Sequence, residues 1–584
     1  MVAKGLDPVI IVGGGLAGLT AAVRLAEKRI KVKIISLCPT RRSHSACAQG
    51  GINAVFDTIH QGDSTYEHFL DTIYGGDYLA NQSSVKQMCE SAPEIINYMI
   101  QMGVAYNRKE NGELDLRMFG GGKKNRTVYA GTTTGQQMLH CCDEQVQKWM
   151  EQGMIEKYES WEFVSLIKDD NRCNGVVVQN VDTLELKSFR SNAVILATGG
   201  AGYIYGKSTN SLINTGAAAS SVYQQGVLFA NGEFVQIHPT GIQGRDKIHL
   251  ISEAARGEGG RIWTYKDNKP WYFLEEMYPE YGNLVPRDIA ARAIYEVCVK
   301  QRLGVDGEKQ VYLDLRDVDE SILQNRLAGV ANTCKNFYSI DPKKEPIKVF
   351  PAVHYFMGGL HVDNYHMTNI KGLFSIGECD YMYHGANRLG ANSLLAAIYS
   401  GFKVAPHVLD YILGMESKDD KLWQRTEHDV ITSTKEEYER IKHMNGNESP
   451  YKLHQEMGTL MSEYAFIERN NRDLQKADEK LQELQERWDN ITINSSGNWG
   501  ASSILFVRQL RHMMELARVV VISALHRNES RGAHYKPEFP YRDDDKWLKT
   551  TLAKWTPQGP KISYQEVDTS FITPGTRSYD TKGR

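Results

Sequence analysis

Apolar and polar positions divide this chain into two kinds of sequence. Up to about residue 410, short apolar runs end in glycine turns; beyond it, charged stretches carry apolar residues at helical spacing. Pro8–Val12 predicts a short buried strand running into Gly13-Gly14-Gly15-Leu16-Ala17-Gly18. A helix through about Lys28 and a second strand, Lys31–Ser36, follow. Ala193–Gly200 and Gly372–Glu378 repeat the pattern of an apolar strand entering a glycine turn, and the sequence between them is long enough to hold an inserted domain. In the second half, Leu474, Ala477, Leu481, Leu484 and Trp488 alternate spacings of three and four, giving one apolar seam on a charged helix. The seam lasts only about two heptads, which marks a bundle helix rather than a coiled coil. A further helix, about Ser503–His526, packs with it. The tail from Tyr535 carries Pro537, Pro540, Asp543-Asp544-Asp545, Trp547 and Trp555, and reads as an extended wrap ending in a loose polar segment.

The expected fold class is α/β: a Rossmann-like domain with an inserted α+β capping domain, followed by a helical domain and an extended C-terminal segment. Residues 1–237 and 355–410 form the two parts of the first domain, 238–354 the cap, 411–534 the helical domain and 535–584 the C-terminal segment.

Composition narrows the partners. At 584 residues, with 41% apolar and 24% charged residues, the chain is ordinary multidomain globular sequence. A net charge of -3 offers no basic footprint for nucleic acid or an anionic membrane surface. The nine cysteines (38, 47, 89, 141, 142, 173, 298, 334 and 379) include no C-x-x-C pair, so no iron–sulfur or zinc site is expected and buried thiols are. Val519–Leu525 is far shorter than the roughly 20 residues of a membrane span. The N-terminus enters its strand too early for a signal peptide, which predicts a cytoplasmic chain.

The glycines carry the first chemistry. Gly13 and Gly15 permit a tight turn with backbone amides close to a pyrophosphate, and Gly18 lets the helix pack on the strand. A nicotinamide fold would place an acid about 20 residues on, against the ribose. Here the second strand ends in Ser36, and no Asp or Glu occurs before Asp57. The loop that follows reads Arg41-Arg42-Ser43-His44-Ser45-Ala46-Cys47-Ala48-Gln49-Gly50-Gly51, with the basic His44 and paired glycines in place of an acid.

Other motifs extend this one: His238-Pro239-Thr240-Gly241-Ile242, Arg256-Gly257-Glu258-Gly259-Gly260, Arg287-Asp288, His354–Gly359, Gly377-Glu378, His384–Gly390 and Ser530–His534. Spread across nearly the whole chain, they resemble the flavoprotein subunit of succinate dehydrogenase and quinol:fumarate reductase. The resemblance implies FAD, bonded covalently through its 8α-methyl to His44. Such a linkage raises the flavin's affinity for electrons, which matters because an alkane C–H bond flanked by carboxylates is a poor hydride donor. It implies cofactor contacts at Gly13, Gly14, Gly15, Leu16, Ala17, Gly18, Ser43, Ser45, Gln49, Gly50 and Gly51, with Ser36 on the adenosine side, Glu378 near the ribityl or ribose hydroxyls, and Ser393 and Leu394 by the flavin ring. Succinate or fumarate would be held by Arg388 and His354 at one carboxylate and by His238 and Ser252 at the other. Arg287 would carry the proton, with Glu253 and Arg256 as its relay. Arginine is a reluctant base, with an intrinsic pKa of about 12.5 or above, so it needs such a relay.

Electrons reaching the flavin have to leave it, and the sequence holds neither cluster ligands nor a haem motif. The resemblance supplies an iron–sulfur subunit and membrane anchor subunits that bind quinone, sometimes with haem. This chain would then sit peripherally on the cytoplasmic side of the cell membrane, held by its partners. Two positions depart from the pattern. Asn214-Thr215-Gly216 is followed by Ala217 where many relatives have an acid, and Ala391 stands where glycine is common. L-Aspartate oxidase, which lacks the flavin-linking histidine, a soluble fumarate reductase and a noncatalytic flavoprotein scaffold are the rival readings.

Overall fold

The computed structural model describes residues 6–60, 62–122, 124–415, 420–493 and 502–579. Five parallel strands form the central sheet, in the order Leu373–Ser375, Val194–Leu196, Val9–Val12, Val32–Ser36 and Ile155–Glu159. Every residue of Val9–Val12 is buried because the sheet is covered on both faces. Val9 and Ile11 enter one apolar cluster, and Ile10 and Val12 enter another, as the twofold alternation of a strand requires. Leu373–Ser375 pairs directly with Val194–Leu196, so the chain leaves this sheet and later returns to it.

The excursion builds a six-stranded antiparallel sheet in the order Ile248–Leu250, Val235–Gln243, Ile347–Phe356, Val311–Asp314, Arg261–Lys266 and Lys269–Trp271. It has an apolar core of its own, including Ile262, Phe273, Leu313 and Val349. Val235–Gln243 and Ile347–Phe356 pair antiparallel, with register shifts between Gln236 and Ile237 and between His238 and Gly241. Residues 238 and 354, taken from the sequence as domain boundaries, therefore lie inside paired strands rather than between elements.

Leu474, Ala477, Leu481, Leu484 and Trp488 are all buried along the helix Asn471–Trp488, which packs against Pro450–Tyr464 and Ser502–His526. No helix among the described residues is long and apolar enough to cross a membrane. Seven of the nine cysteines are buried; Cys47 is exposed and Cys38 half-buried, contrary to the expectation for all nine.

The tail also departs from expectation. Lys549–Lys554 and Lys561–Glu566 form a hairpin that joins Phe229–Ala230 and Gly359–Leu360 in a four-stranded sheet. The outer strand is almost wholly exposed, so its polar sequence carries no alternation from which to read it. The final described residues turn inward, with Tyr579 buried against Tyr74 and Tyr281.

Ala391 has φ 63 and ψ 5, a left-handed residue immediately before the helix Asn392–Leu413. The conformation costs about 1–2 kcal/mol for an L-residue. Its buried methyl, packed in the cap's apolar cluster, returns about 0.8 kcal/mol. Ala391→Gly is therefore expected to leave Tm nearly unchanged, whereas Ala391→Val should lower it by several degrees. Thermal unfolding of both variants checks this; equal Tm values for the two would refute it.

Candidate functional site

A cavity of about 470 Å³ is lined at one end by the glycine turn and at the other by cap residues. Gly13 has φ +120, and a Cβ there would stand 2.1 Å from the Ala197 carbonyl oxygen. At Gly18 a Cβ would lie 2.0 Å from the Gly13 oxygen, so the helix reaches the turn only because this side chain is missing. Gly13, Gly14, Gly15, Leu16, Ala17 and Ser36 line the cavity, whereas Gly18 lies behind the turn and acts through packing. The Ser36 hydroxyl donates to the Cys38 carbonyl at 2.6 Å. Ala217 also lines this cavity without a polar group; the acids among the lining residues are Glu162, Glu253 and Glu378.

The loop expected to hold flavin folds back onto the helix start. Ser45 Oγ accepts from the Leu16 amide at 3.1 Å, bringing the short helical turn His44–Cys47 to the glycine turn. His44 faces the cavity: the Ser211 amide donates to Nδ1 at 3.2 Å, which leaves the proton on Nε2, 3.2 Å from the side-chain amide of Asn210. Burial and the nearby Lys247 lower its pKa to about 4, so the imidazole is neutral at physiological pH. Ser43, Gln49, Gly50, Gly51, Ser393 and Leu394 line the same region. Ser43 Oγ and Gln49 Oε1 are buried without hydrogen-bond partners. Glu378 accepts from the Phe356 amide at 3.0 Å, and burial pushes its carboxyl up to about 7. Turn, uncommitted polar atoms and a cavity reaching from the turn to the cap together suit a dinucleotide with a polar ring system.

The far end is cationic and buried. Arg287 opens the helix Arg287–Tyr295 and donates from Nε and Nη2 to Glu253 Oε2 at 2.9 and 2.8 Å, and from Nη1 to Gln236 Oε1 at 3.0 Å. Arg256 reaches the other oxygen of Glu253 at 2.8 Å and lies behind it, outside the lining. Burial by itself would raise the Glu253 carboxyl, but the Arg287 and Arg256 guanidiniums hold it below the ordinary glutamate range. Arg388 stacks 4.5 Å from the Tyr355 ring centroid, and its Nε has no hydrogen-bond partner. Burial, followed by repulsion from Arg287, lowers its pKa to about 9.

His238 and His354 stand edge to face, with ring centroids 5.0 Å apart. Burial, then the Arg287 charge, holds both far below the usual histidine pKa, so both are neutral. The Thr240 amide donates to His238 Nδ1 at 3.2 Å, which leaves the proton on Nε2 as a donor. Thr209 Oγ1 lies 2.8 Å from His354 Nδ1. Ser252 is buried and lines the cavity beside them. All four residues expected at the two carboxylates thus converge with Arg287 on one end of the cavity.

Sequence reading passed over the residues that hold these groups. Gln236 precedes His238 by two, the spacing that places both on one face of a strand. Asn387 lies inside the His384–Gly390 motif, and Thr209 and Asn210 carry no motif at all.

The sequence profile of the FAD binding domain family matches residues 8–394, and that of the fumarate reductase flavoprotein C-terminal family matches residues 454–579. The chain is 54% identical to the succinate dehydrogenase flavoprotein subunit of Bacillus subtilis, with 98% of each chain covered. It is 35% identical to the fumarate reductase flavoprotein subunit of Serratia, over 97% of this chain and 96% of that one. The quinol fumarate reductase structure from E. coli superposes with a TM-score of 0.92 at 32% identity, covering 98% of both chains. The Mycobacterium smegmatis Sdh1 complex gives 0.83 at 27% identity, covering 98% of this chain and 95% of that one. With its glycine turn, cavity and cap accounted for, this chain belongs to the family of succinate dehydrogenase and fumarate reductase flavoprotein subunits, oxidoreductases built on an FAD-binding domain.

Proposed function

We propose that this chain is the flavoprotein subunit of a succinate:quinone oxidoreductase, interconverting succinate and fumarate with FAD attached covalently through His44. Buried positive charge carries the reading. Arg388 has no acidic partner among the described residues, and Arg287 shares Glu253 with Arg256. Two neutral histidines add polar groups without adding charge, and His238 Nε2–H is a donor. Such a pocket is compensated by a small dianion with a carboxylate at each end.

Bound FAD supplies a two-electron partner for hydride transfer, a chemistry no side chain offers. The protein's residues bind, orient and move the proton. His238 Nε2–H and the Ser252 hydroxyl hold one carboxylate, while Arg388 and His354 hold the other, fixing the central carbons. Glu253 accepts a proton from Arg287, whose freed nitrogen takes one from a methylene carbon of succinate. Arg256, on the other oxygen of Glu253, completes the path by which that proton leaves. For fumarate the same groups run in reverse, with Arg287 donating to carbon. Relatives described as flavoprotein subunits support a complex in which an iron–sulfur subunit takes the electrons. Anchor subunits that bind quinone, with or without haem, hold the chain peripherally on the cytoplasmic side of the membrane.

Purification from membranes is expected to bring along a cysteine-rich subunit, and the complex to reduce quinone with succinate. A fully active isolated monomer would overturn the assembly; a complex inert to both dicarboxylates would overturn the activity.

A further inference from the structure

The helix that begins with Arg287 is held from the opposite side by the C-terminal segment. Asp288 turns away from the cavity and is buried. Its carboxylate accepts from Arg577 at 2.6 and 3.2 Å, and from the Asn387 amide at 3.1 Å. Asn387 Oδ1 accepts from Gln236 Nε2 at 2.9 Å, and Gln236 Oε1 in turn accepts from Arg287 at 3.0 Å. Gln236 Nε2 also donates to the Arg388 carbonyl at 2.8 Å. One unbroken series of hydrogen bonds, buried from Asp288 inward, therefore joins Arg577 to both arginines of the dicarboxylate end.

Arg577 is itself fixed. Ser578 exchanges backbone hydrogen bonds with the Tyr74 hydroxyl at 2.8 and 3.0 Å. Tyr579 packs between Tyr74, of the helix Thr65–Gly75, and Tyr281 of the cap, at centroid distances of 5.6 and 5.1 Å. The segment thus touches both bodies that form the cavity.

We propose that Arg577 is a positioning residue: through Asp288, Asn387 and Gln236 it sets the separation of Arg287 and Arg388, and with it the fit of a dicarboxylate. The inference rests on the dicarboxylate reading above. Arginine suits the task because its planar fork meets both oxygens of Asp288 while Asn387 occupies the remaining approach. Without it Asp288 is a buried charge with one amide partner, and relaxation of that carboxylate pulls on Asn387 and Gln236. Displacements of about 1 Å in such a site cost on the order of 100-fold in rate.

The test uses the assembled complex with Arg577→Gln, Arg577→Lys and the double variant Arg577→Gln/Asp288→Asn, which removes the stranded charge so that folding is preserved. The readouts are kcat and KM for succinate, the dissociation constant of malonate from flavin absorbance, flavin content and Tm. The double variant should keep its Tm and flavin while kcat falls about 10- to 100-fold and malonate binding weakens. Arg577→Lys should recover part of the loss relative to Arg577→Gln, since it keeps a charge on Asp288 but not the fork. Wild-type kcat and malonate affinity in the folded double variant, or losses that follow flavin content alone, overturn the inference. Those outcomes leave the dicarboxylate function standing; a wild-type complex that neither binds malonate nor turns over succinate defeats that function instead.

Discussion

Arg287→Lys is expected to lower succinate turnover by at least about 1,000-fold, a barrier increase of about 4 kcal/mol, while leaving flavin in place. Lysine keeps the positive charge, so Glu253 remains compensated on both oxygens by Arg256 and the new ammonium. What is lost is the fork. Arg287 contacts Glu253 through two nitrogens and Gln236 through the third, an arrangement a single ammonium on a flexible stem does not reproduce. The proton path then lacks a nitrogen that can face substrate carbon and Glu253 together. The glycine turn is built from other elements, so the absorbance of bound flavin should match the wild type. Steady-state kcat with succinate and with fumarate, set against flavin content, measures the effect. Near-normal turnover in either direction would remove Arg287 from the proton step.

His44→Ser should abolish attachment of the flavin and reduce succinate oxidation by about tenfold or more, with a smaller effect on fumarate reduction. Held neutral by burial and Lys247, the His44 imidazole has one ring proton to lose as a bond to carbon forms, whereas a protonated ring would have two. A serine hydroxyl at the same place offers no comparable nucleophile. Loss of the linkage lowers the flavin's affinity for electrons, and for a two-electron couple each 30 mV or so costs a factor of ten in equilibrium. The cost falls on the oxidation of succinate, in which flavin must accept electrons. Acid-denatured wild-type protein should precipitate yellow and fluorescent, whereas the variant should release all its flavin to the supernatant. Free flavin from the denatured wild type would refute the covalent reading and bring L-aspartate oxidase-like chemistry back into consideration.

The dinucleotide turn was legible because its determinants are local. Gly13 is required by its own left-handed backbone, Gly18 by the Gly13 oxygen within the same strand–turn–helix unit, and Ser36 ends the adjacent strand. The seam from Leu474 to Trp488 was legible for the same reason, since helical spacing alone brings those residues to one face. Arg287, Arg388, His238 and His354 were found through motifs, and the fold brings all four to one end of one cavity. Gln236 went unnoticed two residues before His238, and Asn387 was given no role although it lies inside a recognised motif. Amides are common in strands and turns, and nothing local distinguishes one that spans two arginines. The C-terminal hairpin was missed because its exposed outer strand has no apolar alternation. Ala391 was unexplained until its left-handed backbone and buried methyl could be set against one another.

By itself, then, the sequence determined the nucleotide turn, the inserted cap, the helical bundle and the kinds of side chain available for a dianion. Periodicity and backbone restrictions act between near neighbours, so they are written in short stretches of chain. Only the tertiary structure decided which groups share a charge and which hold others in place. Gln236 meets Asn387 across 151 residues, and Arg577 meets Asp288 across 289. Contacts at such separations depend on how whole domains pack, and burial then fixes their strength by removing the water that would otherwise compete for each charge.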